Sequence, residues 1–260
     1  MLNGRHVCVA GGTSGINLGI AEGFARAGAS LSVFSRSRDK VDAAIERIQA
    51  AGVTCAGGTA DVRDPEAVQN VIEELVKAQG PIDVLVSGAA GNFPAPALGM
   101  SPNGFGSVVG IDLNGTFHVL RAAFDHLRKP GASIINVSAP QAFMPMAFQS
   151  HVCAAKAGVD MLTRTLAMEW GPAGVRVNSL VPGPIEHTEG MKRLMADPSK
   201  LDKLKATVPL QRLGQVEDCA DVALFLASDA ARFVTGAVVP VDGGWSLGGA
   251  HVAMSLMMQA

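Results

Sequence analysis

Short apolar runs alternate with longer amphipathic segments along the whole chain, and this rhythm leaves few folds open. The pattern predicts strands over 5–10, 30–35, 53–57, 82–87, 132–138, 174–181 and 237–241. Between them it predicts helices over 16–28, 39–51, 65–79, 112–128, 150–170 and 217–228. Strands separated by helical segments read as βαβ units and hence as a parallel sheet. The near-continuous apolar run Ile82-Asp83-Val84-Leu85-Val86 suits a strand covered by helices on both faces. Asp64 followed by Pro65 marks a capped helix start. No linker, repeat or low-complexity tract interrupts the pattern. The expectation is an α/β fold: one Rossmann-like, doubly wound domain over 1–260, with about seven parallel strands and helices on both faces.

Composition narrows the class of function. With 260 residues and 48% hydrophobic content the chain can fill a sizeable core. Charged residues reach only 17%, below the usual value of about 25%, which points to surface covered by other copies of the chain. A net charge of −2 argues against a nucleic-acid or anionic-membrane partner. No apolar stretch approaches the roughly 20 residues of a membrane span. The run His6-Val7-Cys8-Val9-Ala10 at the start leaves no room for a signal peptide, so a cytoplasmic setting is expected. The cysteines Cys8, Cys55, Cys153 and Cys219 form no C-x-x-C pair, and neither a metal nor a disulfide framework is expected.

Two stretches fit the rhythm poorly. Residues 88–106 are rich in Gly, Pro and Asn and follow a strand end; residues 182–210 open with Pro182-Gly183-Pro184. Ligands of open α/β sheets bind beyond the carboxyl ends of strands, so both are candidate lid or substrate loops.

Chemistry-bearing residues gather at successive strand ends. The first strand runs into Gly11-Gly12-Thr13-Ser14-Gly15-Ile16 and then a helix. Such a turn is either an ordinary βα connection or a cradle whose N–H groups and helix dipole receive a pyrophosphate. It lacks the Lys-Ser/Thr pair of a P-loop, and Ser14 lacks the trailing Gly of a nucleophile elbow. The second strand ends Ser35-Arg36-Ser37-Arg38, where an Arg suits a ribose 2′-phosphate, or else both arginines are solvated charges. After the third strand comes Asp61-Val62-Arg63, a carboxylate able to accept from an adenine amino group. After the fourth comes Ser87-Gly88-Ala89-Ala90-Gly91-Asn92-Phe93, small residues against which a flat ligand can lie.

These features resemble the short-chain dehydrogenase/reductases over essentially the full length. The matching residues are Gly11 and Gly15, Asp61-Val62, Asn136-Val137-Ser138, Lys156, Arg176-Val177-Asn178, Pro182-Gly183 and Thr235-Gly236 with Val241-Asp242-Gly243-Gly244. Two positions depart, Ala10 for the usual Thr and Asn17 for the usual third Gly; Asn tolerates unusual backbone angles, so cofactor binding is expected to persist. The resemblance implies NADP(H) as cofactor, a homotetramer, and a cofactor site at Gly11, Thr13, Ser14, Gly15 and Ile16. It extends that site to Ser35, Arg36, Asp61, Val62, Ala89, Ala90 and Gly91, then to Lys156, Pro182, Gly183 and Ile185.

The family's catalytic Tyr stands four residues before its Lys. Here that position is Val152, and the chain contains 0 Tyr. The family's Ser position is Ala139, beside Ser138, and its helix Asn is Asp112. Without a phenol, proton transfer to a carbonyl oxygen loses its donor. The chain is then either catalytically silent or places its proton elsewhere. Reduction of an α,β-unsaturated thioester does the latter, because charge collects on oxygen and the proton goes to carbon. An Asp112–Lys156 pair holding a water is the expected catalytic arrangement, against a plain salt bridge as the alternative.

Within the family the chain is most similar to peroxisomal-type 2,4-dienoyl-CoA reductases. The matches are Ala89-Ala90-Gly91-Asn92-Phe93, Asp112 with Gly115-Thr116-Phe117, His151, Glu169-Trp170-Gly171-Pro172, Pro184-Ile185 and Thr188-Glu189-Gly190. That resemblance implies an acyl-CoA substrate contacted by Arg63, Phe93, Ser101, Asn103 and Arg193. His151 reads as a structural residue ahead of a proton donor, and Cys153 as a packing residue. The apolar tail from His251 suits either an acyl pocket or a neighbouring subunit.

Overall fold

In the computed structural model, residues 2–186, 188 and 201–248 are described. Strand β1 (His6–Ala10) is buried at each position and lies inside the sheet, third in its order. On one side it pairs with β2 (Ser30–Ser35), which pairs with β3 (Cys55–Thr59). On the other side come β4 (Val84–Ser87), β5 (Ser133–Val137), β6 (Arg176–Pro182) and β7 (Val238–Val241). All pairings are parallel, in the order β3-β2-β1-β4-β5-β6-β7, so the expected doubly wound sheet forms.

Alternation along β1 shows why its sequence is apolar throughout. Val7 and Val9 enter one core, packed with α1 (Gly15–Arg26), α2 (Arg38–Gln49) and α8 (Val216–Ala227) through Phe24, Ile48 and Leu226. Cys8 and Ala10 enter the other, packed with α3 (Pro65–Gln79), α5 (Gly115–Ala123) and α6 (Ser150–Trp170) through Ile72, Leu120 and Leu166. Helices α1 and α8 touch at backbone range because Gly19 and Gly23 face α8. A Cβ on Gly19 would stand 2.5 Å from Val216 Cβ, and one on Gly23 2.7 Å from Ala220 Cβ. Helix α3 begins where its capping signal predicts: Asp64 accepts from the N–H groups of Glu66 and Ala67, both at 3.1 Å, with Pro65 at the first helical position.

The helix expected over 112–128 differs. It begins earlier, as α4 (Pro102–Val109), passes through a π-helical turn at Gly110–Asn114 and continues as α5. Part of the expected 88–106 loop is therefore helical. Ser101 caps it, accepting from Gly104 N–H at 3.0 Å, and Pro102 occupies the first helical position. Strand β3 lies two residues later than expected, and 182–210 carries a short helix, α7 (Leu201–Thr207). No helix among the described residues is long and apolar enough to cross a membrane.

Candidate active site

The strand order reverses between β1 and β4, which opens a crevice at their carboxyl ends. Gly11 (φ 75°) turns the chain there, and a Cβ on it would lie 2.9 Å from the Ala89 nitrogen. Only glycine lets the two loops meet so closely. Two cavities adjoin along this crevice. The smaller, about 300 Å³, is lined by Gly11 and Thr13, by Ser35 and Arg36 at the β2 end, by Asp61 and Val62 at the β3 end, and by Ala89. The larger, about 520 Å³, is lined by Gly15, Ile16, Gly91, Asp112, Lys156, Pro182, Gly183 and Ile185. Ser14, Asn17, Gly88 and Ala90 line both, so the cavities share a wall. Each expected cofactor residue thus faces one continuous cleft.

Asn17 has a role the sequence did not suggest. It lies inside α1, so its backbone angles are ordinary. Its side chain matters instead, donating to the Gly88 carbonyl at 2.7 Å and the Gly11 carbonyl at 3.4 Å. It ties the glycine turn to the end of β4.

At the small end of the cleft, Lys40 joins Arg36 in the lining, together with the Ser35 and Ser37 positions. Arg38 is turned away onto Asp42, 2.9 Å distant on an exposed helix face. Asp61 is clasped by Arg63, whose Nε reaches both carboxylate oxygens at 3.0 and 3.1 Å. The Arg63 guanidinium holds the Asp61 carboxyl down at about 2, with Arg36 adding a smaller attraction. Arg63, expected at the acyl-CoA, is therefore engaged on Asp61, which lines the smaller cavity.

The larger cavity holds the Asp112–Lys156 pair. Lys156 Nζ lies 3.4 Å from Asp112 Oδ2 and donates to the Val137 carbonyl at 3.0 Å. Asp112 Oδ1 accepts from Gly91 N–H at 2.7 Å. Both side chains are almost fully buried, at 1% and 6% exposure, yet both line the cavity. The π-helical turn explains the aim of Asp112. One extra residue in a turn rotates the succeeding side chains by about 100° relative to a regular helix, and such bulges gather at functional sites. The widened turn is closed by Thr116, whose hydroxyl donates to the Asp112 carbonyl at 2.7 Å.

Where the family has its phenol, Val152 lines the cavity wall, 3% exposed, and Ala139 replaces the hydroxyl beside it. Ser138 faces the same cavity. The wall is aliphatic where an oxygen-directed proton donor would stand.

Of the expected substrate residues, Phe93 and Ser101 converge on Gly104. A Cβ there would meet Ser101 Oγ at 3.2 Å and Phe93 Cζ at 3.3 Å. Phe93 packs edge-on against the His151 ring at 4.6 Å between centroids. His151 is fully buried, and neither ring nitrogen has a hydrogen-bond partner among the described residues. Asn103 is exposed on the first turn of α4. Arg193, like the tail from His251, lies outside the described residues. Leu204 and Trp245, remote in sequence, complete the large cavity beside Met146 and Gln141. Lys40 had a readable signal, a cation in the first turn of the helix after β2; Leu204 and Trp245 had none, since only the tertiary fold brings them in.

Comparison with known proteins gives the same outline. A family described as Enoyl-(Acyl carrier protein) reductase matches residues 10–246. A peroxisomal 2,4-dienoyl-CoA reductase [(3E)-enoyl-CoA-producing] of Danio rerio is 40% identical over 246 residues, covering 94% of this chain and 82% of its own. A probable 2,4-dienoyl-CoA reductase [(2E)-enoyl-CoA-producing] of Bacillus subtilis is 40% identical over 243 residues, 92% of this chain and 96% of the relative. Among solved structures, a gluconate 5-dehydrogenase from Burkholderia cenocepacia in complex with NADP and tartrate superposes with a TM-score of 0.85 and 30% identity, over 95% of this chain and 96% of its own.

Proposed function

The chain belongs to the short-chain dehydrogenase/reductase family and is an oxidoreductase; from that premise we propose that it reduces a 2,4-dienoyl-CoA with NADPH and sends the proton to carbon. The dienoyl-CoA reductases at 40% identity support the substrate class. The observation that carries the mechanism is the buried Asp112–Lys156 pair in a cavity whose Tyr position is Val152.

The cleft fits a nicotinamide dinucleotide. Its waist is backbone and small side chains at Gly11, Gly88 and Ala90, and Arg36 and Lys40 stand at one end where a 2′-phosphate would bind. When bound there, the cofactor would supply the hydride for the reduction, held by the residues of this cleft. Asp61, kept ionised by Arg63, retains acceptor capacity for an adenine amino group.

At the other end, the chain's own groups handle charge and proton. Hydride addition to the conjugated diene leaves negative charge on the thioester oxygen. The Lys156 ammonium, fixed by the Val137 carbonyl and Asp112, is the cation positioned to stabilise it. Asp112 is itself fixed by Gly91 N–H, so the pair is preorganised. Together they orient a water that protonates a substrate carbon. Val152 and Ala139 exclude a competing oxygen-directed donor. Phe93, Ser101 and Asn103 are the described residues expected to contact the acyl-CoA, and Phe93 packs on His151 beside the cavity-lining Val152. Phe117, Met161 and Met168, exposed on α5 and α6, suit the helix faces that a homotetramer would cover.

The test is the product. Incubation with NADPH and 2,4-hexadienoyl-CoA should consume one NADPH per thioester and yield an enoyl-CoA, with the new proton drawn from solvent onto carbon. Tight NADPH binding without turnover of any thioester would instead mark a silent cofactor-binding protein.

A further inference from the structure

The reaction proposed above leaves the Gln141 side chain of the large cavity without a task. Beyond β5 the chain makes a single tight turn, Pro140–Ala142. It is closed by Ala142 N–H on the Ala139 carbonyl at 2.9 Å and by Met144 N–H on the Pro140 carbonyl at 2.8 Å. Gln141 sits in the middle of that turn and lines the cavity beside Pro140, Met146, Leu204 and Trp245, none of them an expected cofactor residue. Its amide is oriented from behind. The NH2 group donates to Gln149 Oε1 at 2.8 Å and lies 3.6 Å from Met146 Sδ. Gln149, 2% exposed, stands at the start of α6, where its carbonyl accepts from Cys153 N–H at 2.9 Å. With the NH2 group engaged in this way, Gln141 Oε1 is left over: it is buried and has no hydrogen-bond partner among the described residues.

The chemistry of that oxygen defines its missing partner. An amide oxygen only accepts, so whatever satisfies it must bring an N–H or O–H group. Asp112 and Ser138 of the same cavity differ: Asp112 has Lys156 beside it, and a hydroxyl turns to donate or to accept. A dienoyl chain and its thioester carry no donor. The first donor in such a substrate is the amide N–H of the pantetheine arm, two carbons beyond the sulfur. We propose that Gln141 Oε1 accepts from this N–H, which makes Gln141 a specificity residue that seats the thioester against Lys156. The inference rests on the reading of the substrate as an acyl-CoA. A buried acceptor left unpaired costs more than an ordinary hydrogen bond contributes, so a thioester without the donor is rejected and not merely favoured less.

Two small substrates test this. One is the 2,4-hexadienoyl thioester of N-acetylcysteamine, which keeps the amide; the other is the matching 2-acetoxyethyl thioester, in which an ester oxygen replaces the N–H. Wild type should prefer the amide by about 10-fold in kcat/KM. The difference should lie in KM, because the group takes no part in the reaction. In Gln141→Met, which keeps the side-chain length, the preference should fall to about one, with NADPH affinity unchanged; Gln141→Leu is the second variant should the first not fold. The substrate pair makes the same cut in wild type without touching the fold. No preference in wild type, or a preference that survives in the variants, would overturn the assignment. So would a loss of NADPH affinity in the variants, which would give the oxygen to the cofactor's carboxamide. A wild type that reduces no thioester defeats the parent reading. Calorimetric titration of the NADPH-loaded protein with the two saturated hexanoyl counterparts then still reads the contact: an amide preference lost in Gln141→Met upholds it, and equal affinities overturn it.

Discussion

Lys156 Nζ and Asp112 Oδ2 stand 3.4 Å apart in a wall that carries no phenol. Each is fixed from behind by backbone, Lys156 by the Val137 carbonyl and Asp112 by Gly91 N–H. A pair held this way on both sides cannot swing to solvent, and removing either partner strands the other. A stranded buried charge costs about 3–5 kcal/mol.

Asp112→Asn keeps the shape and the Gly91 contact but removes the charge. We expect dienoyl-CoA turnover to fall by about 100- to 10,000-fold, the range of a lost acid–base contribution. NADPH affinity, read by fluorescence titration, should change little because Asp112 lies away from the adenosine end. Equal losses in affinity and turnover would contradict a chemical role.

Arg36→Ala separates the two nicotinamide cofactors. A charge-assisted bond to a phosphate contributes about 1.5–3 kcal/mol, so NADPH affinity should weaken by about 10- to 100-fold. NADH affinity should stay within about twofold of wild type. Calorimetric titration of both cofactors reads the difference, and a parallel weakening of both would remove the 2′-phosphate assignment.

Gly19→Ala tests the contact between α1 and α8. The new methyl carbon would be 2.5 Å from Val216 Cβ, and the helices must part. Overpacking of this kind costs about 1–3 kcal/mol, measurable by urea denaturation. The double variant Gly19→Ala with Val216→Ala should recover much of that loss.

His6 gives the fold an acid-side weakness. Its ring is held between the Gly80 carbonyl and the Ser32 hydroxyl, both at 2.8 Å, and burial lowers its pKa from 6.5. The unfolded chain then binds a proton in a range where the folded chain does not. His6 therefore contributes stability that is present above about pH 6.5 and is lost as pH falls from there toward the lowered folded value. Urea midpoints compared at pH 7.5 and 5.5 should drop more in wild type than in His6→Gln; equal drops would refute the assignment.

The parallel sheet was readable because its strands are apolar on both faces, as at Val7 and Val9 against Cys8 and Ala10. The strand-end residues Gly11, Arg36, Asp61 and Ala90 were readable for the same reason: a doubly wound sheet fixes where strand ends go. Helix α4 was hidden by its own composition. Pro102, Asn103, Gly104 and Gly106 are poor helix formers, and the helix exists because Ser101 caps it and α6 supports it. The π-helical turn at Asp112 left no trace in the pattern, since one extra residue shifts a helical period without changing residue types. Asn17 was visible as a departure, but a sequence shows the residue and not the carbonyls of Gly88 and Gly11 that it tethers.

The central claim is that protonation proceeds through Asp112 and Lys156 without a phenol. It is tested most directly by NADPH consumption across 2,4-dienoyl-CoA, 2-enoyl-CoA and ketone substrates, in wild type, Asp112→Ala and Lys156→Ala. The predicted result is dienoyl-CoA turnover in wild type that collapses in both variants, with ketones untouched. Ketone reduction alone, or dienoyl-CoA turnover that survives in both variants, would contradict it.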